Sequence, residues 1–344
     1  MINTLEKPIL EVSDLVTSFP IKGGMLKRKI GEIQAVSKVN FNILPGETLG
    51  LVGESGCGKS TVARTIVGLE KSTSGHIFFE GHDLTKITHS EMRVLRKDIQ
   101  LIFQDPFASL HPKMTVKELI QEPWETHPDV VDKKDWEKEV IKLMELVGLN
   151  PDSRHNYPHQ FSGGQCQRIC IARALALRPK LIICDEAVSA LDVSIQAQIL
   201  NLLQDLQKDL GLAYLFISHD LSVVRHICDR IAVMYLGKII ETGDRNEIFE
   251  TPSHPYTQAL LSAVPISEPW NVIKREELIL EGDIPSPANP PPGCRFCTRC
   301  WKAQEICKVE EPELIIRDGD HLSACHFAEV NKGIIPEFRE TVKK

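Results

Sequence analysis

The sequence lacks long apolar runs and an excess of positive charge. No apolar run among its 344 residues approaches the roughly 18 that a membrane-spanning helix needs. Met1–Leu10 has neither the basic start nor the apolar stretch of a secretion signal. With 40 Lys and Arg against 47 Asp and Glu, no cation surplus is left to offset nucleic-acid phosphates. We therefore expect a cytoplasmic chain that does not bind nucleic acid and that reaches membranes only through a partner protein.

What is present begins with a glycine-rich stretch. Gly53–Ser60 reads Gly-Glu-Ser-Gly-Cys-Gly-Lys-Ser and fits the phosphate-loop pattern G-x-x-x-x-G-K-[ST] at every position. An apolar strand, Thr48–Val52, precedes it, and helical spacing follows. Lys59 supplies a charge for the β- and γ-phosphates, and Ser60 offers a hydroxyl to Mg²⁺. The predicted contacts to a nucleoside triphosphate are Gly53, Glu54, Ser55, Gly56, Cys57, Gly58, Lys59, Ser60 and Thr61.

Two carboxylates at the end of an apolar strand indicate hydrolysis. In Leu181-Ile-Ile-Cys-Asp-Glu186, the strand delivers Asp185 and Glu186 at its carboxyl end. Asp185 is expected to hold Mg²⁺ through water, and Glu186 to polarise the attacking water. A chance Asp-Glu pair at a strand end is common, but it is much less so beside a phosphate loop.

A second anion site is predicted at Phe161-Ser-Gly-Gly-Gln165, which precedes an expected helix from Cys166 to Leu177. Two glycines, a hydroxyl and exposed backbone N–H groups at a helix N-terminus suit a phosphate. The chain then has two phosphate-binding devices but one nucleotide loop. This is explained if two such subunits meet head to tail and each completes the other's site.

The order of expected elements predicts an α/β fold. Apolar strands at 180–185, 213–218 and 231–235 alternate with helices, which is typical of a parallel sheet covered on both faces. Residues 105–177 are expected to form an inserted helical subdomain. The front of the chain is β-rich, with strands at 8–19 and 34–44. The basic insert between these two strands (Lys22, Lys27, Arg28, Lys29) is expected to be a solvated loop, or else a contact for anionic lipid or a partner.

In combination these motifs resemble the ABC-type ATPases over residues 8 to about 250. Phe161–Gln165 is similar to the family signature, and Gln104 to its lid glutamine. Ser189-Ala-Leu-Asp192 is similar to the loop after the Mg²⁺ strand, and His219 to the switch histidine. The resemblance implies a P-loop NTPase fold with a RecA-like core, an antiparallel β subdomain, an inserted helical subdomain and a small Cys-rich C-terminal extension. The expected domains are 1–255 and 256–344.

The resemblance also implies roles for individual residues. Gln104 becomes a sensor of Mg²⁺ and nucleotide that contacts the membrane subunit, and His219 a contact to the γ-phosphate. Phe19 is the candidate for stacking on adenine, with a plain core role as the alternative. The residues expected to serve nucleotide from the signature and the following loop are Ser162, Gly163, Gly164, Gln165 and Asp192.

Three stretches narrow the resemblance to the oligopeptide and dipeptide importer ATPases, and within them to the second ATPase subunit. They are residues 161–168, 189–198 and His-Pro-Tyr-Thr at 254–257. The implied partners are a second, non-identical ATPase subunit, two transmembrane permease subunits and an extracytoplasmic solute-binding protein, at the cytoplasmic face of the membrane. Import of another solute such as nickel or an oligosaccharide remains open. So do a soluble regulatory ATPase and a metal-cluster sensor.

Five of the ten cysteines lie in the tail, spaced Cys294-x2-Cys297-x2-Cys300-x6-Cys307-x17-Cys325. Disulfides are disfavoured in the cytoplasm, whereas four thiolates suit zinc or an iron–sulfur cluster. Free thiols are the remaining alternative. The resemblance implies a [4Fe–4S] cluster on Cys294, Cys300, Cys307 and Cys325, which leaves Cys297 as an extra thiol.

Overall fold

The computed structural model of the chain describes residues 7–23, 28–263, 278, 280 and 282–329. In this part of the chain the strands form one sheet of four and one of eight. The strands are β1 (Leu10–Gly23), β2 (Arg28–Ile43), β3 (Thr48–Val52), β4 (Ser74–Phe79), β5 (His82–Asp83), β6 (Ile99–Ile102), β7 (Leu181–Asp185), β8 (Ala213–Ser218), β9 (Arg230–Tyr235), β10 (Lys238–Asp244), β11 (Ile315–Asp318) and β12 (His321–Ser323).

Helices in the described residues connect these strands. They are α1 (Lys59–Ile66), α2 (His89–Leu95), α3 (Pro106–Ser109), α4 (Val116–Thr126), α5 (Trp136–Leu146), α6 (Gly163–Leu175), α7 (Val193–Leu210), α8 (Leu221–Ile227), α9 (Arg245–Glu250), α10 (Pro255–Ser262) and α11 (Glu305–Val309). Short 3₁₀ turns lie at Lys133–Asp135, Pro151–His155 and Pro158–Gln160.

The large sheet has the order β11-β12-β10-β9-β3-β8-β7-β6. Neighbouring strands from β9 to β6 run parallel, whereas β10, β12 and β11 are added antiparallel. The carboxyl ends of β3, β6, β7 and β8 therefore meet at one edge of the sheet, which is where ligands bind in such folds. The predicted parallel sheet is confirmed.

The sheet is apolar on both faces because both are covered. Along β7, Ile182 and Cys184 belong to the core formed with the helices, and Leu181 and Ile183 to the core formed with the four-stranded sheet and α1. All five β7 residues are buried, which explains the continuous apolar run in the sequence.

The four-stranded sheet, of order β2-β1-β4-β5, is antiparallel throughout, as the resemblance implied. We expected the basic insert to be a loop, and this was wrong: its described residues lie in the long hairpin formed by β1 and β2. Lys22 pairs with Lys29, and Gly23 with Arg28, so the insert extends the strands and satisfies their backbone hydrogen bonds. Lys27 lies outside the described residues.

Helices α3 to α6 all lie within residues 105–177, where a helical subdomain was predicted, and the bounds of that subdomain stay a prediction. Trp124 on α4 is fully buried, and its indole N–H donates to the carbonyl of Ala176 at 2.7 Å. Helix α6 starts at Gly163, three residues before the expected Cys166, because Ser162 and Gln165 form a capping box. The signature glycines therefore lie inside the first turn of α6.

The C-terminal extension is tied to the large sheet. Strand β12 pairs with β10, Glu241 opposite Ser323. Glu241 is fully buried and accepts hydrogen bonds from the hydroxyl of Ser253 (2.8 Å) and from Nε2 of His321 (2.7 Å). Burial alone raises the pKa of this carboxyl, but the hydrogen bonds, that from His321 foremost, lower it overall. Glu241 on β10 thus forms a buried contact with His321 of the extension. The domain boundary at residue 255 stays a prediction.

Candidate nucleotide-binding site

The phosphate loop follows β3 and packs closely against β2 and the hairpin between β9 and β10. Gly53 and Gly58 both have positive φ, and a Cβ there would collide with the carbonyl oxygens of Met234 and Ala35. Lys59 is 4% exposed, and its Nζ donates to the carbonyls of Gly53 at 2.7 Å and Glu54 at 3.0 Å. Because these acceptors are neutral, the lysine charge is not cancelled by them and can serve an anion.

Ser60 and Asp185 meet at the edge of the sheet. The Ser60 hydroxyl donates to Oδ1 of Asp185 at 2.7 Å, and Asp185 is 4% exposed. Burial raises the pKa of this carboxyl, and the bond from Ser60 opposes that shift. A buried carboxylate next to a hydroxyl is an oxygen donor set of the kind Mg²⁺ prefers. Ser60 and Asp185 therefore fit the predicted magnesium site.

Glu186 lies between the two other predicted catalytic side chains. Nε2 of Gln104 donates to Oε2 of Glu186 at 2.9 Å, and Nδ1 of His219 lies 3.4 Å from Oε1. The backbone of Glu186 has a φ of 51°, a conformation that costs energy in a non-glycine residue and is typical of functional sites. Its N–H donates to the carbonyl of Ile217 on β8, which fixes the position. The structure thus brings together three residues that lie far apart in the sequence.

The signature turn is held by a capping box at the start of its own helix. The Ser162 hydroxyl accepts from the N–H of Gln165 at 3.3 Å, and the side chain of Gln165 accepts from the N–H of Ser162 at 2.9 Å. Ser162 and Gln165 are exposed, whereas Gly164 is buried where a Cβ would meet Ile195 of α7. The side chains of Ser162 and Gln165 are therefore exposed to solvent at the start of α6.

The remaining predicted residues lie at the start of α7, on β1, on the phosphate loop and on α1. Asp192 is exposed at the N-cap of α7, and its side chain makes no capping hydrogen bond. Phe19 is half-buried on β1, opposite Ile33. Ser55 and Gly56 are exposed at the tip of the phosphate loop, and Thr61 is half-buried on α1. The roles of these residues stay predictions.

Sequence reasoning missed two residues that contact Glu54 of the phosphate loop. The hydroxyl of Tyr256 accepts from the N–H of Glu54 at 2.9 Å. The guanidinium of Arg299 donates twice to the carboxylate of Glu54, at 2.8 and 3.1 Å. Tyr256 lies in the His-Pro-Tyr-Thr stretch that carried the resemblance, which was the available signal; nothing in the local pattern singles out Arg299.

The cysteines of the tail line one small cavity. Cys294, Cys300, Cys307 and Cys325 all contribute to its wall, and so does Cys297. Burial raises the pKa of Cys294 to about 12 and that of Cys300 to about 11, so without a metal both keep their protons at neutral pH. Among the described residues, no three Cys, His, Asp or Glu side chains are arranged to hold a metal ion. The thiols that an iron–sulfur cluster needs thus share one cavity, but in the described residues their side chains are not arranged as the ligands of a metal.

An apolar groove lies between β6 and helices α4 and α6, next to Gln104. Leu69 and Phe103, 55% and 41% exposed, are part of its wall. Glu122 and Arg173, which form an ion pair at 2.6 Å, add charge to the rim. In the described part of the chain, no helix has the length and apolar character needed to cross a membrane.

Comparisons with known families match most of the chain. Residues 36–189 match the ABC transporter model, and residues 240–307 match the model of the oligopeptide/dipeptide transporter C-terminal region. The oligopeptide transport ATP-binding protein AppF of Bacillus subtilis (strain 168) is 52% identical over 323 residues, 94% of this chain and 98% of that protein. The oligopeptide transport ATP-binding protein OppF of Escherichia coli (strain K12) is 52% identical over 310 residues, 90% of this chain and 93% of that protein.

Solved structures agree with the fold. An ATP-binding cassette in a dimeric post-hydrolysis state, bound to ADP and Pi, is 28% identical with a TM-score of 0.61. The match covers 69% of this chain and 98% of that one. The protein cbiO1 of Clostridium perfringens, part of an ABC transporter complex, gives a TM-score of 0.60 at 28% identity, over 71% of this chain and 91% of that one.

Proposed function

The chain belongs to the oligopeptide transport ATP-binding proteins of the ABC transporter family, and we propose that its hydrolysis of MgATP drives import of di- and oligopeptides through separate membrane subunits. One observation carries the mechanism: Gln104, Glu186 and His219 meet beside Ser60 and Asp185 at the end of the parallel sheet. Motifs from four separate parts of the sequence thus form one site.

Each residue of this site has a separate role in hydrolysis. The N–H groups of the loop and Lys59 bind the phosphates, which holds the γ-phosphate in line with a water at Glu186. Glu186 orients that water and accepts its proton. His219 hydrogen-bonds the γ-phosphate, and Gln104 reports its presence. Ser60 and Asp185 would hold Mg²⁺, which would supply positive charge to offset that of the phosphates.

A second ATPase subunit completes the site in this proposal. Ser162 and Gln165 are exposed at the start of α6, so their side chains are free to reach nucleotide on a neighbouring subunit. The related cassette bound to ADP and Pi was solved as a dimer. ATP would join the two subunits head to tail, and hydrolysis would release them. We expect the neighbour to be a homologous, non-identical subunit.

The membrane subunits are expected to dock in the apolar groove beside Gln104. Phe103, on its wall, directly precedes Gln104, so a helix seated in the groove would move with the residue that contacts Glu186. The chain would thus lie at the cytoplasmic face of the membrane, peripheral to two permease subunits that receive solute from an extracytoplasmic binding protein. Substrate choice then belongs to those partners.

Transport by the reconstituted assembly tests this function. Vesicles that carry both ATPase subunits, both permeases and the binding protein should accumulate labelled peptide only with MgATP. Vesicles with Glu186→Gln in this chain serve as the matched control and should not. Uptake of nickel or an oligosaccharide in place of peptide would show the same machinery with another solute. ATP turnover without uptake of any solute would contradict the transport role.

We also propose a [4Fe–4S] cluster on Cys294, Cys300, Cys307 and Cys325, supported by their convergence on one cavity. Protein prepared without oxygen should contain iron and absorb near 400 nm. Cys300→Ser should lose the iron, whereas Cys297→Ser, an extra thiol in the same cavity, should keep it. A colourless, iron-free wild-type protein would contradict the cluster, and bound zinc would point to the alternative structural site.

A further inference from the structure

The turn that carries the first cysteines of the extension contacts the phosphate loop directly. Arg299, which lies between Cys297 and Cys300, makes a two-pronged ion pair with Glu54. The side chains of Arg299 and Glu54 are 8% and 24% exposed, so water screens the pair only in part. This fork geometry fixes orientation as well as charge.

A second contact holds the backbone of the same residue. Tyr256 of α10 is fully buried and accepts the N–H of Glu54 through its hydroxyl. Its ring packs against Tyr235 and Phe296, with centroid separations of 4.7 and 5.4 Å. Phe296 belongs to the turn at residues 294–300, which we call the cysteine turn. The side chain and the backbone of Glu54 are therefore both held by residues beyond position 255.

The cysteine turn also contacts the hairpin that supports the other end of the loop. Arg295 donates to the carbonyl of Leu236 and, at 3.0 Å, to the hydroxyl of Ser37. The N–H of Gly237 in turn donates to the carbonyl of Cys57 at 2.8 Å. The one short turn from 294 to 300 thus contacts the phosphate loop directly at Glu54 and indirectly at Cys57.

From these contacts we propose that Arg299 and Tyr256 are positioning residues of the nucleotide site. A carboxylate inside a loop that binds phosphates repels them. This electrostatic repulsion is stronger where water is partly excluded, because the effective dielectric constant is lower there. Arg299 cancels the charge of Glu54 and holds its side chain against the extension. Tyr256 fixes the backbone from which the loop turns. A change in the C-terminal extension that moves Arg299 or Tyr256 away from Glu54 should therefore lower the affinity for nucleotide.

Calorimetric titration of the full chain with MgADP tests this role, because MgADP needs neither hydrolysis nor a second subunit. Arg299→Gln should weaken binding roughly fivefold to tenfold, since it leaves the carboxylate of Glu54 unpaired. The double variant Glu54→Gln with Arg299→Gln should recover affinity, because the repelling charge is gone. Lys308→Gln is the matched control: Lys308 pairs with Glu305 in the same extension, and its removal should change nothing.

The rescue separates positioning from mere folding. If Arg299 only helps the extension to fold, the double variant will bind as weakly as Arg299→Gln, and the proposal is wrong. Glu54→Gln alone, which keeps Arg299, should bind MgADP at least as tightly as the wild type; weaker binding contradicts the proposed repulsion. Tyr256→Phe should lose affinity roughly twofold to fivefold, because the N–H of Glu54 loses its acceptor. Unchanged affinity there would remove Tyr256 from the proposal.

Discussion

The phosphate loop and the signature turn are the two phosphate sites predicted for this chain, and they differ in how far the chain encloses them. Lys59 is buried, and the loop is held by the β9–β10 hairpin, by Tyr256 and by Arg299. Ser162 is exposed and is held only by the capping box of its own helix. A site that needs no partner is enclosed by its own chain, whereas one that serves a partner must stay open.

The difference predicts that variants on the two sides fail in different assays. Changes around the loop should affect nucleotide binding or chemistry in this chain. Changes in the signature turn should matter only when a second ATPase subunit is present.

Glu186→Gln should abolish ATP turnover while ATP still binds. The substitution keeps the shape and the neighbours Gln104 and His219 but removes the proton acceptor. Loss of a comparable preorganised group costs roughly 10²–10³ in rate, and a water-activating group can cost more. Phosphate release by the assembled complex measures the rate, and titration with ATP measures the binding. Normal turnover in this variant would refute the assigned role.

Lys59→Ala should weaken MgADP binding by the isolated chain roughly tenfold to a hundredfold, because hydrogen bonds to charged groups are worth about 1.5–3 kcal/mol. Calorimetry on the same preparation as the wild type provides the value. Affinity within about twofold of the wild type would mean that the loop does not bind the phosphates through this lysine.

Ser162→Ala should leave MgADP binding by the isolated chain unchanged but slow turnover of the assembled complex roughly tenfold or more. Thr88→Ala is the matched control, because Thr88 caps α2 through the same kind of capping box with Glu91. Both variants lose a helix cap, which costs about 0.5–2 kcal/mol of stability. Equal turnover in the two variants would show that Ser162 acts only as a cap.

Asp185→Asn should stabilise the nucleotide-free protein in EDTA by about 0.5–2 kcal/mol, while it weakens binding of MgATP. Burial raises the pKa of Asp185, so its charge destabilises the fold fully above that pKa and ceases to do so as pH falls below it. The advantage of the variant should thus be largest near neutral pH and shrink in acid. Thermal unfolding at several pH values measures it; an advantage that grows in acid would contradict the account.

Much of this site could be predicted because its motifs are local and the topology does the rest. Lys59 comes at the end of the loop that follows β3, and Asp185 and Glu186 lie at the end of β7; parallel strands bring these carboxyl ends to one edge. The capping box of Ser162 and Gln165 was also visible in the sequence and could have given the true start of α6.

What could not be predicted depends on contacts between distant segments. Arg299 and Glu54 are 245 positions apart, and neither carries a local pattern that names the other. Where β12 pairs with β10, the buried Glu241 contacts His321, which is 80 positions away in the sequence. The basic insert was expected to be a loop because it is rich in charged residues. Such residues also occur on the solvated, outer part of a strand, which is where the structure places them.

The most direct test is a structure of the ATP-bound assembly that carries Glu186→Gln, determined by electron cryo-microscopy. The account predicts that the hydroxyl of Ser162 lies within hydrogen-bond distance of the γ-phosphate bound to the neighbouring ATPase subunit. It also predicts that Lys59 of this chain contacts nucleotide capped by the neighbour's signature turn. Nucleotide enclosed by this chain alone, with Ser162 still facing solvent at full occupancy, would contradict it.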